Sequence, residues 1–274
     1  MLWTIAILAM LVAAAQSLSF NSARMERRQL DDAQMDATFD AAIMRAVLGL
    51  SDARADRRWR VDGVTQDFEF GGYPLHIAIQ DEFGRVDLNA ADGSLLRQLL
   101  RSAGGTQTDS EALTDRILDW RQRDDGTSRL HGATDDLYAN AGLAYRPRHG
   151  PFQTVEELRL VLGMTSSLFA RIEPALTVYS HHPAIDTAVA PRGALLAYYP
   201  DQPERVADIL KARAEASDDA SGGKPGTIPL AESLIGRTFD ISIVTSMGKR
   251  KVNREAVVML TNSSDRPYLV LQWR

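Results

Sequence analysis

The sequence predicts an α+β protein, and three observations carry that prediction. An uncharged, apolar N-terminal run continues without a break into residues at helical spacing. Apolar and polar residues alternate after position 60 and again towards the C-terminus. Between those two alternating regions the pattern is helical and punctuated by glycine.

The first element is a helix. No charged residue precedes Arg24 in MLWTIAILAMLVAAAQSLSFNSA. At about 1.5 Å per residue such a helix reaches across a hydrocarbon core of roughly 30 Å. Only Leu2 to Ala15 is densely apolar, which also admits a secretory signal cleaved after Ala13-Ala14-Ala15. Two features favour an anchor: no basic residue precedes the run, and the helical pattern does not stop there. From Leu30 the apolar positions Ala33, Met35, Ala37, Phe39, Ala42, Ile43, Ala46, Val47 and Leu50 recur at three- and four-residue steps. Residues 1–50 therefore read as one helix, apolar at its start and amphipathic at its end. Its stripe offers a face for packing against copies or relatives of itself.

Residues 51–86 read as the first part of an α+β head. Phe68 and Phe70, then Leu75, Ile77 and Ile79, have strand periodicity, and Gly71-Gly72 supplies the turn of a hairpin. Residues 87–231 read as a helical insertion, with helices at 94–103, 109–122, 155–162, 166–175 and 203–216 and a loop at 216–227. Asn89 and Thr154 stand before helices, and Thr154 with Glu157 has the form of a capping box. Gly104-Gly105 and Gly163 give helix, glycine turn, helix patterns of the helix-hairpin-helix type. Residues 232–274 return to strands, alternating at Phe239, Ile241 and Ile243, at Ala256, Val258 and Leu260, and at Tyr268, Val270 and Leu271. A sheet assembled from distant segments, interrupted by the helical part, follows.

Composition removes several function classes. The net charge is −5 and the turn at Leu162 to Thr165 carries no Lys or Arg, so no nucleic-acid partner is expected. There is no cysteine, hence no disulfide framework and no thiolate chemistry. His181-His182 stands beside Pro183 without the converging ligands of a zinc site. No Gly-x-Ser-x-Gly elbow, phosphate loop or dinucleotide fingerprint occurs.

The densest chemistry lies in DWRQRDDGTSRLHGATDDLY, residues 119–138. Asp124-Asp125 and Asp135-Asp136 are two carboxylate pairs, and a turn across Gly126 to Gly132 would bring them together. Calcium takes six to eight oxygens from such groups, at about 2.3–2.6 Å. The spacing is not that of an EF-hand. A second reading is a solvated loop whose carboxylates pair with Arg121, Arg123 and Arg129. A third is a membrane-anchored periplasmic hydrolase using the acidic loop, although adjacent aspartates suit a two-carboxylate mechanism poorly. Asp119, in a helix beside Trp120, is a weaker candidate for the ion.

The segments GRVDLNAAD, LLRQLL, LTDRILDWRQRDD, GATDDLY, GPFQTVEELRLVLGMT and LTVYS, in this order, resemble the K-type minor pseudopilin of bacterial type II secretion. The resemblance implies a pilin-like fold with the helical domain inserted between strands of the head, and a structural, non-enzymatic role. It implies a subunit at the tip of a periplasmic pseudopilus that supports its assembly and the export of folded proteins across the outer membrane. The implied partners are I-type and J-type minor pseudopilins, the major pseudopilin and, through the N-terminal helix, inner-membrane lipid. The implied location is a single pass through the inner membrane with the C-terminal domain in the periplasm. The family is described as lacking the early acidic residue that most pilins use to recruit the next subunit, and here none occurs before Glu26. One or two calcium ions are implied, carried onto Asp124, Asp125, Thr134, Asp135 and Asp136. Thr134 stands where the family has Glu, so it offers a hydroxyl or carbonyl but no charge. Pseudopilins also begin with a basic leader cut after Gly. Met1 falls inside the expected hydrophobic helix, which implies a start placed too late or a trimmed sequence. Leader arginines or lysines would also offset Arg24, Arg27 and Arg28, which the family topology puts outside the cytoplasm.

Overall fold

A computed structural model describes the chain except for residues 1, 53, 55–56, 124–127, 133, 221–233, 248–249 and 264; within helices and strands the side chains of residues 2, 11–24, 216–220, 247 and 250 are also not described. Helix α1 (Leu2–Leu50) runs unbroken for 49 residues, roughly 70 Å at 1.5 Å per residue. Among the described residues no helix is long and apolar enough to cross a membrane. Residues 11–24, the middle of the expected span, lie outside those whose side chains are described.

The second half of α1 has two apolar faces where the periodicity suggested one stripe. Met35, Phe39, Ala42, Ile43, Ala46, Val47 and Leu50 are buried against the sheet. On the opposite side Leu30, Ala33, Ala37, Met44 and Leu48 are exposed and Ala41 is half-buried. Their spacing is that of a second seam at three- and four-residue steps.

After α1 the hairpin forms as expected: β1 (Asp62–Phe70) and β2 (Tyr73–Asp81) turn through Gly71 and Gly72, both at positive φ. A 3-10 turn at Glu82–Gly84 leads to β3 (Val86–Asp87). Then follow α2 (Gly93–Ser102), α3 (Gln107–Arg121), α4 (Asp135–Asn140), a 3-10 turn at Val155–Leu160, α5 (Ser166–Ile172), β4 (Leu176–Thr177), α6 (Arg192–Tyr198) and α7 (Pro203–Ala220). The chain closes with β5 (Thr238–Met247), β6 (Arg250–Leu260) and β7 (Tyr268–Trp273). One five-stranded antiparallel sheet has the order β1-β2-β5-β6-β7, so its centre is a pairing of strands from opposite ends of the sequence. The small strands β3 and β4 pair in parallel.

Two hydrophobic cores result. One joins α1 to the inner face of the large sheet, around Phe39, Leu75, Ile77, Phe239, Ile241 and Val258. The other lies among the helices between β3 and α7, around Leu96, Leu99, Trp120, Tyr138, Phe169 and Leu195.

Several local expectations are corrected. The segment at 155–160 is 3-10, and Thr154 makes no capping bond; Glu157 turns instead to Arg148 at 3.0 Å. Asn89 stands before α2 as expected; its amide is spent on both backbone groups of Phe152, and Asp92 is the cap. Helix α7 runs on to Ala220, beyond the expected start of the loop. Helices α4 and α6 are too short to leave a periodicity in the sequence.

Candidate functional site

The acidic loop leaves α3 at a point fixed by three side chains. Arg121 turns back and donates to the carbonyls of Leu88 at 2.6 Å and Ala91 at 2.7 Å. Trp120 packs against Phe152, with centroids 6.0 Å apart, and against Tyr138 at 6.1 Å. The Tyr138 hydroxyl accepts from Leu162 N at 2.9 Å, which ties α4 to the turn before α5.

Asp119 is the anchor of the loop. It is buried and accepts from Ser128 Oγ at 2.8 Å and from Arg129 N at 3.3 Å, while its other oxygen pairs with the Arg129 guanidinium. Gly132 comes so close that a Cβ there would lie 1.8 Å from Asp119 Oδ2. Arg129 thus neutralises a carboxylate, as the solvated-loop reading expected, whereas Arg121 serves carbonyls.

Of the five residues assigned to calcium, Asp124 and Asp125 lie outside the described residues. The other three sit together at the start of α4. Thr134 occupies the N-cap position with no capping bond from its side chain. Asp135 is 3.1 Å from Arg146 and 3.5 Å from His149 Nε2, and Asp136 is exposed. This donor set is all oxygen, the class that calcium takes. Binding there would exchange the contacts of Asp135 for the ion. Among the described residues no group of three or more His, Asp or Glu is arranged to hold a metal. Asp119 and Asp135 both lie beside basic side chains, Arg129 for the first and Arg146 and His149 for the second.

A second charged site, not foreseen in the sequence, lies where the helical core meets the large sheet. Asp81 and Glu82, at the end of β2, are both fully buried. Arg237 reaches Asp81 at 2.6 Å and Asp186 at 3.3 Å and lies over the Phe83 ring at 4.5 Å. Arg85 lies 2.8 Å from both Glu82 and Asp240. Burial pushes the Asp81 carboxyl up to about 6, against the pull of Arg237. Burial pushes Glu82 up to about 7, opposed by Arg85 and helped by Asp240. Gly84 allows the two parts to touch, since a Cβ would lie 2.8 Å from the Val189 carbonyl group. Gln80 adds a bond to Val189 O at 2.8 Å. On the far side of the same joint Arg213 of α7 donates to Ala190 O at 2.7 Å, and Arg60 donates to Arg213 O at 2.9 Å. The visible signal was the string Asp81-Glu82-Phe83-Gly84-Arg85, three charges at the end of an apolar strand.

Comparison with known proteins places this architecture. Residues 78–181 match the family described as type II secretion system (T2SS), protein K. A type II secretion system protein K from Pseudomonas aeruginosa is 26% identical over 199 residues, which is 66% of this chain and 59% of that protein. One from Klebsiella pneumoniae is 27% identical over 224 residues, 72% of this chain and 68% of that protein. The chain thus spans about six to seven tenths of those relatives. A solved structure, the GspK-GspI-GspJ complex of the type 2 secretion system from enterotoxigenic Escherichia coli, aligns with a TM-score of 0.63 at 13% identity. It covers 90% of this chain and 98% of that chain, and the likeness is one of fold.

Proposed function

We propose that this chain, whose residues 78–181 match the family described as type II secretion system protein K, is a minor pseudopilin that works at the tip of a pseudopilus by assembly and not by catalysis. It would sit with I-type and J-type minor pseudopilins, above the major pseudopilin, and support export of folded proteins across the outer membrane. The uncharged run before Arg24 supports an anchor in the inner membrane, with the C-terminal part in the periplasm. The aligned structure is itself a complex of K, I and J subunits, which supports the choice of partners.

The observation that carries the reading is the two-faced α1. Phe39 and Ile43 fasten the helix to its own sheet, so partner helices are left with Leu30, Ala33, Ala37, Ala41, Met44 and Leu48. Small residues at its middle let another backbone come close. Placing a carboxylate there should break partner binding and spare the fold. In detergent, the full chain with Ala37→Glu should retain at least tenfold less of the co-expressed I-type and J-type subunits. Its own stability should change by less than about 0.5 kcal/mol, as for exposed positions generally. Retention unchanged in both Ala37→Glu and Leu48→Glu would remove the seam from the interface.

Calcium belongs to the same proposal, held by Asp124, Asp125, Thr134, Asp135 and Asp136. It would supply positive charge to a loop that otherwise concentrates carboxylates, and so stabilise it. Calcium at a hundredfold excess over its dissociation constant should raise stability by about 2.7 kcal/mol. Asp135→Asn should reduce that gain, read as the shift of the thermal midpoint between calcium and chelator. Equal midpoints in both for the unaltered chain would dismiss the ion.

A further inference from the structure

The central sheet ends in two unlike edges. β1 carries Asp67 and Glu69, both exposed, and its register slips between Asp62 and Thr65. Charges of this kind keep further strands from adding. β7, YLVLQW, has neither a charge nor a proline. Leu269, Leu271 and Trp273 are 39%, 44% and 46% exposed. Its outer side meets no other strand among the described residues.

The backbone of β7 is oriented to accept one. Glu255 and Arg274 exchange both backbone bonds, at 2.8 and 3.0 Å. Antiparallel alternation then directs the Trp273 backbone groups outward. At the other end Thr261 N donates to Pro267 O at 2.9 Å, which by the same alternation turns Tyr268 and Val270 outward. Leu271 is the extra residue at the register shift between these two halves.

We infer that β7 is a docking edge that takes an extended segment of another protein as a sixth strand, one with alternating apolar residues and acidic flanks. Main-chain bonds would supply the attachment and the exposed Leu269, Leu271 and Trp273 the selectivity. The flanks follow from charge. Exposed Arg266 precedes the strand, with Asp265 before it in the turn, and Arg274 follows it, its side chain 25% exposed, 3.9 Å from Glu156 and donating to Gln272 Oε1 at 3.3 Å. Those arginines also argue against a second copy of this chain. In-register parallel pairing sets each arginine beside its twin, and antiparallel pairing sets Arg266 beside Arg274 at both ends; like charges so placed repel. The edge is separate from the exposed seam of α1 and would serve whether or not that seam binds pilin-like helices.

The test is a library of displayed random twelve-residue peptides, panned on the full chain in detergent and on its Leu271→Lys variant. Peptides with alternating apolar residues between acidic flanks should be enriched, and Leu271→Lys should retain them at least tenfold less. A synthetic copy of an enriched peptide should slow amide exchange at Tyr268, Val270 and Trp273 at least tenfold. Leu271→Thr, which keeps strand propensity without charge, should still bind. Enrichment of basic-flanked peptides, equal retention by Leu271→Lys, no enriched class at all, or an exchange footprint away from β7 would each overturn the inference. So would β7 protection that appears without peptide and grows with protein concentration, because the occupant would then be a second copy.

Discussion

Glu82→Gln should make the protein more stable at about pH 8, by about 3 kcal/mol, and should change little at about pH 4. Glu82 is fully buried, and burial lifts its carboxyl from the usual 4.5 to about 7 in spite of Arg85. A group raised in the folded state contributes stability that is complete below its unfolded value and is lost as pH climbs through the folded value. The unaltered protein should therefore weaken between about pH 4.5 and 7, the reverse of ordinary acid denaturation. Asp81, raised from 3.8 to about 6, adds to the same trend. Glutamine keeps the shape of the side chain and removes the charge that burial penalises. Unfolding of the full chain in detergent, followed at intervals across this range, checks the claim. If Glu82→Gln is the less stable form at pH 8, the attraction of Arg85, shared with Asp240, outweighs desolvation and the argument fails.

The position of this charged joint bears on how such a subunit could work. The helical core and the core under α1 are built from separate clusters of side chains. Between them stand Asp81, Glu82, Arg85, Asp186, Arg237 and Asp240 on one side and Arg60, Asp62 and Arg213 on the other. Apolar contact would hold two surfaces together in many relative orientations. Ion pairs with fixed partners hold them in one, and break at larger cost when displaced. If the chain sits at a pseudopilus tip as proposed, such a joint would keep the head from swivelling on α1.

The long helix, the hairpin and the three C-terminal strands were legible because period and turn chemistry agreed there. Gly71-Gly72 marked a turn that the backbone makes at positive φ, and Phe239, Ile241 and Ile243 alternate as they do in β5. The α+β class followed. What could not be read was tertiary. Nothing in the spacing of Phe39 and Ala37 says which faces the sheet and which faces outward, because both lie within one apolar stripe until the sheet claims half of it. Thr154 matched a capping pattern that the 3-10 geometry does not use. At the acidic loop the sequence identifies carboxylates, and Asp119, helical beside Trp120, is the weaker candidate ligand among them. The structure gives that residue its own task, fastening Ser128 and Arg129 to the end of α3. The partner of Asp81, Arg237, lies more than a hundred residues away along the chain, and so does Asp186, which shares that guanidinium. No local pattern reveals a pairing of that kind.

Arg237→Ala should be the most damaging single change at the joint, at about 3–5 kcal/mol near pH 8. The guanidinium is buried, and its removal leaves Asp81, fully buried, without its cation. The loss should shrink near pH 5, because Asp81, already raised to about 6 beside Arg237, then takes up a proton. Asp81→Asn in the Arg237→Ala background should recover much of the stability at pH 8. Asparagine removes the stranded charge and still presents an oxygen to Phe83 N, which Asp81 holds at 2.9 Å. The two single variants and the double variant form a cycle whose coupling isolates the pair. A loss that is the same at both pH values and is not recovered by Asp81→Asn would place the role of Arg237 in its packing over Phe83. In that case the joint is held by shape, and the reversed pH profile expected of Glu82 would have to stand on Arg85 and Asp240 without support from Asp81.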